Sequence, residues 1–151
     1  MKMKKKYLFI NFLLFTLLFA EFAYAVPRVK VYVEATANDL VGSQLVYKIK
    51  EYLRSSQGME LALSDKDSLF QIYIVTLDPD GLGYQTVYSV VWTANQPGTS
   101  LKIYWNQLVG ICGSKRVNDV AANIIARTDQ MITELQKFFI NLLKKLQGSY
   151  K

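Results

Sequence analysis

The feature that most constrains the fold is a long stripe of residues at helical spacing near the C-terminus. Steps of four and three residues alternate along the stripe, and the positions are Val117, Ala121, Ile124, Thr128, Met131, Leu135, Phe138 and Leu142. Such spacing is typical of a helix that packs one face on a hydrophobic core. A helix over about 115–146, with Ser114 as its N-cap, is roughly 48 Å long at 1.5 Å per residue. That length exceeds the width of a small domain.

Two further elements precede the helix in a simple pattern. Val29, Val31 and Val33 alternate with polar residues, which predicts a strand over about 28–36. Asn38 or Asp39 then offers an N-cap for a first helix, and Gly58 is expected to end it as a left-handed cap.

Turn signals divide the middle of the chain into short strands. The sequence Asp78-Pro79-Asp80-Gly81 is a strong turn signal between two strands. The segment Gly110–Gly113 is expected to end the strand pattern before the last helix. The predicted strands cover about 59–64, 69–77, 84–94 and 100–108. We therefore expect an α+β fold with the order strand–helix–antiparallel meander–long C-terminal helix. Both helices should pack on one face of a four- to five-stranded sheet.

The N-terminus has the three parts of a secretory signal peptide. Four lysines precede the apolar run Tyr7–Ala20, and Ala23-Tyr24-Ala25 forms a small-x-small site ahead of Val26. The alternative is an uncleaved anchor, but the run is shorter than the roughly 20 residues that span a bilayer. No cysteine lies near the cleavage site, which argues against a lipoprotein. We expect cleavage between Ala25 and Val26 and a periplasmic or secreted product.

Removing residues 1–25 changes the charge balance. The signal contains four of the 18 basic residues and one of the 12 acidic residues, which leaves 14 against 11 and a net charge of about +3 instead of +6. A charge this small, on an exported chain, does not predict a nucleic-acid partner.

The composition excludes several classes of catalytic site. The chain has no histidine and one cysteine, so histidine-dependent catalysis, thiolate zinc clusters and CxxC redox chemistry are absent. No Gly-rich phosphate or dinucleotide loop is present either. We therefore predict no catalytic residue, no cofactor and no metal ligand. The acid pairs Asp65/Asp67 and Asp78/Asp80 share tight turns, where we expect them to cap the turn. A carboxylate-only enzyme and a calcium loop are the alternatives.

Cys112 and the aromatic residues have structural and functional interpretations. A single cysteine cannot form an intramolecular disulfide, so we expect Cys112 to be a buried packing residue. An intermolecular disulfide and a reactive thiol stay open. Tyr84, Tyr88 and Trp92 share parity on one strand and are expected in the core, and an exposed aromatic face for a partner or glycan is the alternative. Further aromatics of the meander are Tyr73, Tyr104 and Trp105.

The element order in an exported chain resembles the amino-terminal domain of TolB and related envelope adaptor domains. This resemblance concerns architecture over most of 28–135 and implies docking of other envelope proteins rather than catalysis. The segments 41–45, 75–80 and 110–113 resemble those of a small bacterial exported family. This resemblance implies export but does not indicate a particular function. Fold alone does not establish function.

Three regions and one functional hypothesis follow. Residues 1–25 form the signal, 26–137 a single α+β domain, and 138–151 a helical extension expected to contact a protein partner, a second copy or the membrane surface. The expected interaction residues are Phe138, Phe139, Leu142, Leu143 and Leu146. We predict a non-enzymatic interaction or adaptor module of the bacterial envelope. The alternative is a binder of small molecules, peptides or glycans, or a carboxylate-only enzyme.

Overall fold

The computed structural model describes residues 28–95 and 101–148, apart from the side chains of 142, 143 and 146–148. The expected signal and its cleavage site at Ala25 and Val26 lie outside these residues. The described elements, in chain order, are β1 (Val29–Ala37), α1 (Leu40–Ser55), β2 (Met59–Leu61), β3 (Phe70–Leu77), β4 (Gln85–Asn95), β5 (Lys102–Gly113) and α2 (Val117–Gly148). The predicted α+β class is confirmed.

The strands form one mixed five-stranded sheet in the order β2-β1-β3-β4-β5. Strands β3, β4 and β5 form the expected antiparallel meander, whereas β1 is parallel to both β2 and β3. Strand β2 therefore leaves the predicted meander and pairs beyond β1, with Met59 opposite Val29. The cause is α1, which returns the chain to the starting end of β1, so that the next strand runs in the same direction.

Both helices cover the same face of the sheet. Alternate residues of β4 are buried, and those of β1 and β3 that share this face include Val31, Val33, Ile72 and Ile74. They pack against α1 and against α2, in which Ala121, Ile124 and Leu135 are buried. The predicted placement of the helices on one face is confirmed, and the opposite face carries no helix of the described chain.

A carboxylate fixes the start of α1. Asp39 is the N-cap, and its Oδ1 accepts the Gly42 amide at 2.7 Å while Oδ2 accepts the hydroxyls of Thr76 at 2.6 Å and Thr86 at 3.1 Å. Burial raises the pKa of Asp39, but these three hydrogen bonds outweigh burial and hold the pKa below its usual value. A Cβ at position 42 would collide with Thr76 Oγ1, so only glycine fits where the helix meets β3. The cap therefore ties α1 to two strands.

The predicted left-handed cap at Gly58 and the predicted end of the last strand at Leu108 are wrong. Helix α1 ends at an extended Ser56, and Gly58 has no left-handed backbone; among the described residues that conformation occurs at Gly81 and Gly83. Strand β5 continues through Gly110 to Gly113 instead of breaking there. A Cβ at position 110 would collide with the side chain of Tyr88 on β4, so this glycine is a close-packing position within the strand.

The last helix follows its predicted stripe but begins differently from its prediction. A 3₁₀ turn over Ser114–Arg116 precedes α2, and the Ser114 side chain is not its cap. Inside the helix, the indole N–H of Trp92 donates to Thr128 Oγ1 at 2.9 Å, and that hydroxyl donates to the Ile124 carbonyl at 2.8 Å. The one polar position of the stripe is thus explained by a buried hydrogen bond. No helix of the described chain has a stretch long and apolar enough to cross a membrane.

Candidate functional site

The C-terminal part of α2 leaves the core while its apolar pattern continues. Leu135 is 7% exposed and is the last buried residue of the described chain. Phe138 and Phe139, which continue the stripe, are 59% and 50% exposed, and Ile140, in the same turn but off the stripe, is 51% exposed. The two phenyl rings lie edge to face, with centroids 5.8 Å apart. The apolar stripe therefore extends about one turn beyond the surface that covers it.

The length of α2 explains this overhang. Its 32 residues extend about 48 Å at 1.5 Å per residue. Strand β4 has 11 residues, or about 36 Å at 3.3 Å per residue, which is shorter than the helix. A straight helix of this length cannot be sheathed along its whole stripe by one such sheet and α1.

The predicted interaction residues divide into two groups. Phe138 and Phe139 are exposed, as an interaction surface requires. Leu142, Leu143 and Leu146 belong to the same helix, but their side chains lie outside the described residues. Asn141, Lys144 and Lys145 are exposed polar positions of the segment.

A second apolar surface lies on the helix-free face of the sheet, and sequence reasoning missed it. Val75 and Leu77 on β3 are 55% and 66% exposed, and Val109 and Ile111 on β5 are 66% and 65% exposed. Val87 of β4 pairs with both Leu77 and Ile111, so the group is continuous across three strands. The alternation of 109 and 111 is a strand signal, but the predicted strand ended at Leu108.

The other half of the helix-free face is polar, and a loop covers it. Gln71 is fully buried and donates to the carbonyl of Asp65 at 3.3 Å, while the Tyr73 hydroxyl donates to Gln71 Oε1. Lys102 donates to the Tyr73 hydroxyl at 2.6 Å and pairs with the Asp65 carboxylate at 3.3 Å. These bonds fold the loop after β2 over one corner of the sheet. Within the described residues, the apolar half of this face stays exposed.

The aromatic residues of the meander separate into core and surface. Tyr88 and Trp92 are buried on the helix side, so their predicted core role is confirmed. Tyr84 precedes β4 and is exposed, as is Tyr104 on β5, so the expected shared face of Tyr84, Tyr88 and Trp92 does not form. Trp105 packs against the edge of the core.

Cys112 is fully buried, which confirms the predicted packing position. Burial raises the pKa of its thiol, and Arg116 lowers it by less. Burial likewise raises the pKa of Tyr88 beside it. A protonated, covered thiol is a poor nucleophile.

The candidate acids serve local structure. Asp78 accepts the amide hydrogens of Asp80, Gly81 and Gly83, and Asp67 accepts the hydroxyl of Ser64 at 2.7 Å. No three acids or cysteines of the described chain are grouped as metal ligands.

Shallow grooves among the described residues lie along the helices. The first, about 420 Å³, includes Leu40 and Tyr47; the second, about 510 Å³, includes Glu134; the third, about 450 Å³, includes Asp129. A carboxylate-only enzyme needs two acids facing one cleft. None of these three grooves is lined by two carboxylates.

Comparison with known proteins identifies no family. No protein-family model matches the chain, and no curated protein matches it. Similar solved structures include a protein assigned as a lipoprotein from Caulobacter crescentus, at 13% identity and a TM-score of 0.37, covering 70% of this chain and 91% of that one. A hypothetical protein from Chlamydia trachomatis is 12% identical with a TM-score of 0.36, and the match covers 56% of this chain and 72% of that one. The rare lipoprotein B from Shewanella oneidensis is 14% identical with a TM-score of 0.36, and the match covers 75% of this chain and 98% of that one. Likeness at this level carries no functional argument. The expected resemblance to the TolB domain stays a prediction.

Proposed function

We propose that this chain is an exported, non-enzymatic interaction module whose partner is a protein that receives the overhanging end of α2. The observation that carries the proposal is the exposure of Phe138 and Phe139 directly after the buried Leu135. Exposed aromatic residues that continue a buried stripe are typical of a helix presented to an apolar groove.

The physical argument is the cost of leaving this stripe in water. Apolar surface removed from water contributes about 25 cal/mol per Å². Two phenyl rings side by side, each about half exposed, offer a compact area with little rotamer entropy to lose, as is common for interface anchors. Lys144 and Lys145 lie near the negative end of the helix dipole, where they would border the contact.

The export part of the proposal rests on the N-terminal sequence. The basic head, the apolar run and the Ala25–Val26 junction support export of the mature domain. Mass spectrometry of the exported product tests this part alone. A mature chain that begins at Val26 supports it, and an intact Met1 in the membrane fraction contradicts it.

The partner surface is tested by photo-crosslinking from one position. Benzoylphenylalanine in place of Phe138 should form a discrete adduct with one envelope protein when the full chain is expressed. The double variant Phe139→Ser, Leu142→Ser should lose that adduct. The matched control is Ile140→Ser, which changes a similarly exposed residue away from the stripe and should keep it.

The outcomes separate the alternatives. An adduct only with lipid, together with flotation of the mature protein on anionic vesicles, would replace the protein partner by a membrane surface. Absence of any adduct, from a chain that is folded and exported, would contradict the proposal.

A further inference from the structure

Helix α2 and the edge strand β5 border a common groove. No strand of the described chain pairs with the outer side of β5. A groove of about 510 Å³ lies between Asn106 of this strand and side chains of α2 that include Arg127. The neighbouring Thr128 accepts the indole N–H of Trp92, the strand partner of Asn106. Helix α2 therefore starts beyond the Gly113 end of β5 and runs back along its open edge.

The backbone groups of β5 that face outward lie in the middle of the strand. Its regular pairing with β4 runs from Asn106 to Gly113. Gln107 N–H donates to the Asn106 side chain at 2.7 Å, so it points away from β4. Because inward and outward residues alternate in an antiparallel ladder, the N–H and C=O groups of Val109 and Ile111 also point away from β4. An extended chain laid along this edge would find backbone partners there.

A buried tyrosine reaches the same edge on its helix side. Tyr88 of β4 is 8% exposed and is the strand partner of Gly110. The end of its ring occupies the space where a Cβ of residue 110 would stand, so the hydroxyl lies over the backbone of β5. Within the described residues this hydroxyl has no hydrogen-bond partner. Polar atoms of buried residues usually have one, so the hydroxyl is a donor left for a group from outside the described chain.

Two arginines act on this hydroxyl. Arg127 lies at the Asn106 end of β5, and Arg116 follows its Gly113 end. Burial raises the pKa of Tyr88, and both arginines oppose that rise, whereas no carboxylate of the described chain contributes. Neither arginine forms an ion pair within the described chain. The middle of the open edge is therefore a place of unbalanced positive charge with a hydroxyl donor at its centre.

We propose that β5 binds an extended acidic segment of a partner protein, which adds to the sheet as a sixth strand and places a carboxylate over Gly110. The Tyr88 hydroxyl donates a hydrogen bond to that carboxylate, and the guanidinium groups of Arg116 and Arg127 balance its charge. The neighbouring residues of the segment lie on the opposite face, beside Val109 and Ile111, which are about two-thirds exposed there. Apolar residues at those positions would form favourable cross-strand pairs.

The same features argue against a second copy of β5 as the occupant. Strand β5 has no acidic residue to place over Gly110; its one charged residue is Lys102, and Lys115 and Arg116 follow the strand. Pairing of two copies would add positive charge to an edge that already has an excess. The site is separate from the end of α2, so the inference does not depend on the partner proposed there.

Binding of a synthetic peptide to the full mature chain tests the site. The probe is a short peptide in which valine alternates with threonine and the central threonine is replaced by glutamate, labelled for fluorescence anisotropy. We expect saturable binding that weakens at least about tenfold when the glutamate becomes glutamine or when the protein contains Arg127→Gln. Tyr88→Phe keeps the ring over Gly110 and should also weaken binding. The matched control is Arg54→Gln, an exposed arginine at the end of α1, which should leave binding unchanged.

Hydrogen exchange tests the mode of binding. The amides of Val109 and Ile111 should gain protection when the peptide binds, and a peptide with a central proline should neither bind nor protect them. Acetate alone should compete only weakly, because it lacks the backbone contacts. A probe that does not bind, that binds the Arg127→Gln protein equally well, or that protects no amide of β5 overturns the proposal. Circular dichroism of each variant establishes that it is folded.

Discussion

The position at which α2 leaves the core can be measured with two alanine variants. Leu135 and Phe138 are one turn apart on the same stripe, at 7% and 59% exposure. Leu135→Ala deletes a buried side chain, and such changes cost about 2–5 kcal/mol of unfolding free energy. Phe138→Ala deletes a side chain that is mostly in water, so the transfer loss is small. Alanine is also a better helix former than phenylalanine by several tenths of a kcal/mol. We expect the second change to stay within about 0.5 kcal/mol of zero.

Urea unfolding followed by the fluorescence of Trp92, in a Trp105→Phe background that removes the other tryptophan, provides the measurement. The indole is buried against α2, so its emission reports the packing of that helix. The protein concentration must be low enough that the chain is monomeric, because self-association would add its own stabilisation. The m-values of the two variants should match that of the parent chain, since the change concerns stability and not the surface exposed on unfolding.

One result would refute the boundary. If Phe138→Ala in the monomer costs as much as Leu135→Ala, the phenyl ring is part of the core and the overhang does not exist. Ile140→Ala is the control for a change in the same turn away from the stripe, and it should be as neutral as Phe138→Ala.

Three further predictions concern the groups that hold the fold. Thr128→Val should cost about 1–3 kcal/mol because the buried indole N–H of Trp92 loses its acceptor, and a double-mutant cycle with Trp92→Phe in chemical unfolding should show coupling. Asp39→Ala should cost about 1 kcal/mol at neutral pH. Because the folded pKa of Asp39 lies below its unfolded value of about 3.9, that contribution is present above this value and is lost as the pH falls through the folded pKa, so pH-dependent unfolding curves of the two proteins should converge in acid. Cys112→Ser should cost roughly 1 kcal/mol, and a thiol reagent should label native Cys112 only as fast as the protein opens.

Much of the fold follows from local pattern. The stripe of α2 and the alternation of β1 each act through neighbours a few residues apart, and both predictions are confirmed. Of the two predicted N-caps, Asn38 and Asp39, the structure uses Asp39. The place of β2 did not follow, because three residues carry too little pattern to choose between two pairing strands. The end of β5 was wrong for another reason. A glycine usually marks a turn, and at Gly110 it instead makes room for a side chain of the next strand.

The two candidate surfaces also differ in whether local pattern alone could predict them. Phe138 and Phe139 were predicted because a helix length can be compared with a sheet length before any contact is known. The face formed by Val75, Leu77, Val109 and Ile111 required knowledge of which strands are neighbours. Register between distant segments is a tertiary property, and a period of two along one strand does not contain it.

The parallel pairings of β1 also order the events of folding. Strands β3, β4 and β5 are joined by short connections, so they can associate after small losses of chain entropy. The pairing of β1 with β3 joins residues far apart in sequence, such as Val31 and Phe70, so its loop-closure cost is larger and we expect it to form later. We therefore expect the antiparallel ladder of β3, β4 and β5 to form first and the contacts of β1 to form on it. A chain secreted from its N-terminus would keep β1 unpaired until the greater part of the domain had emerged.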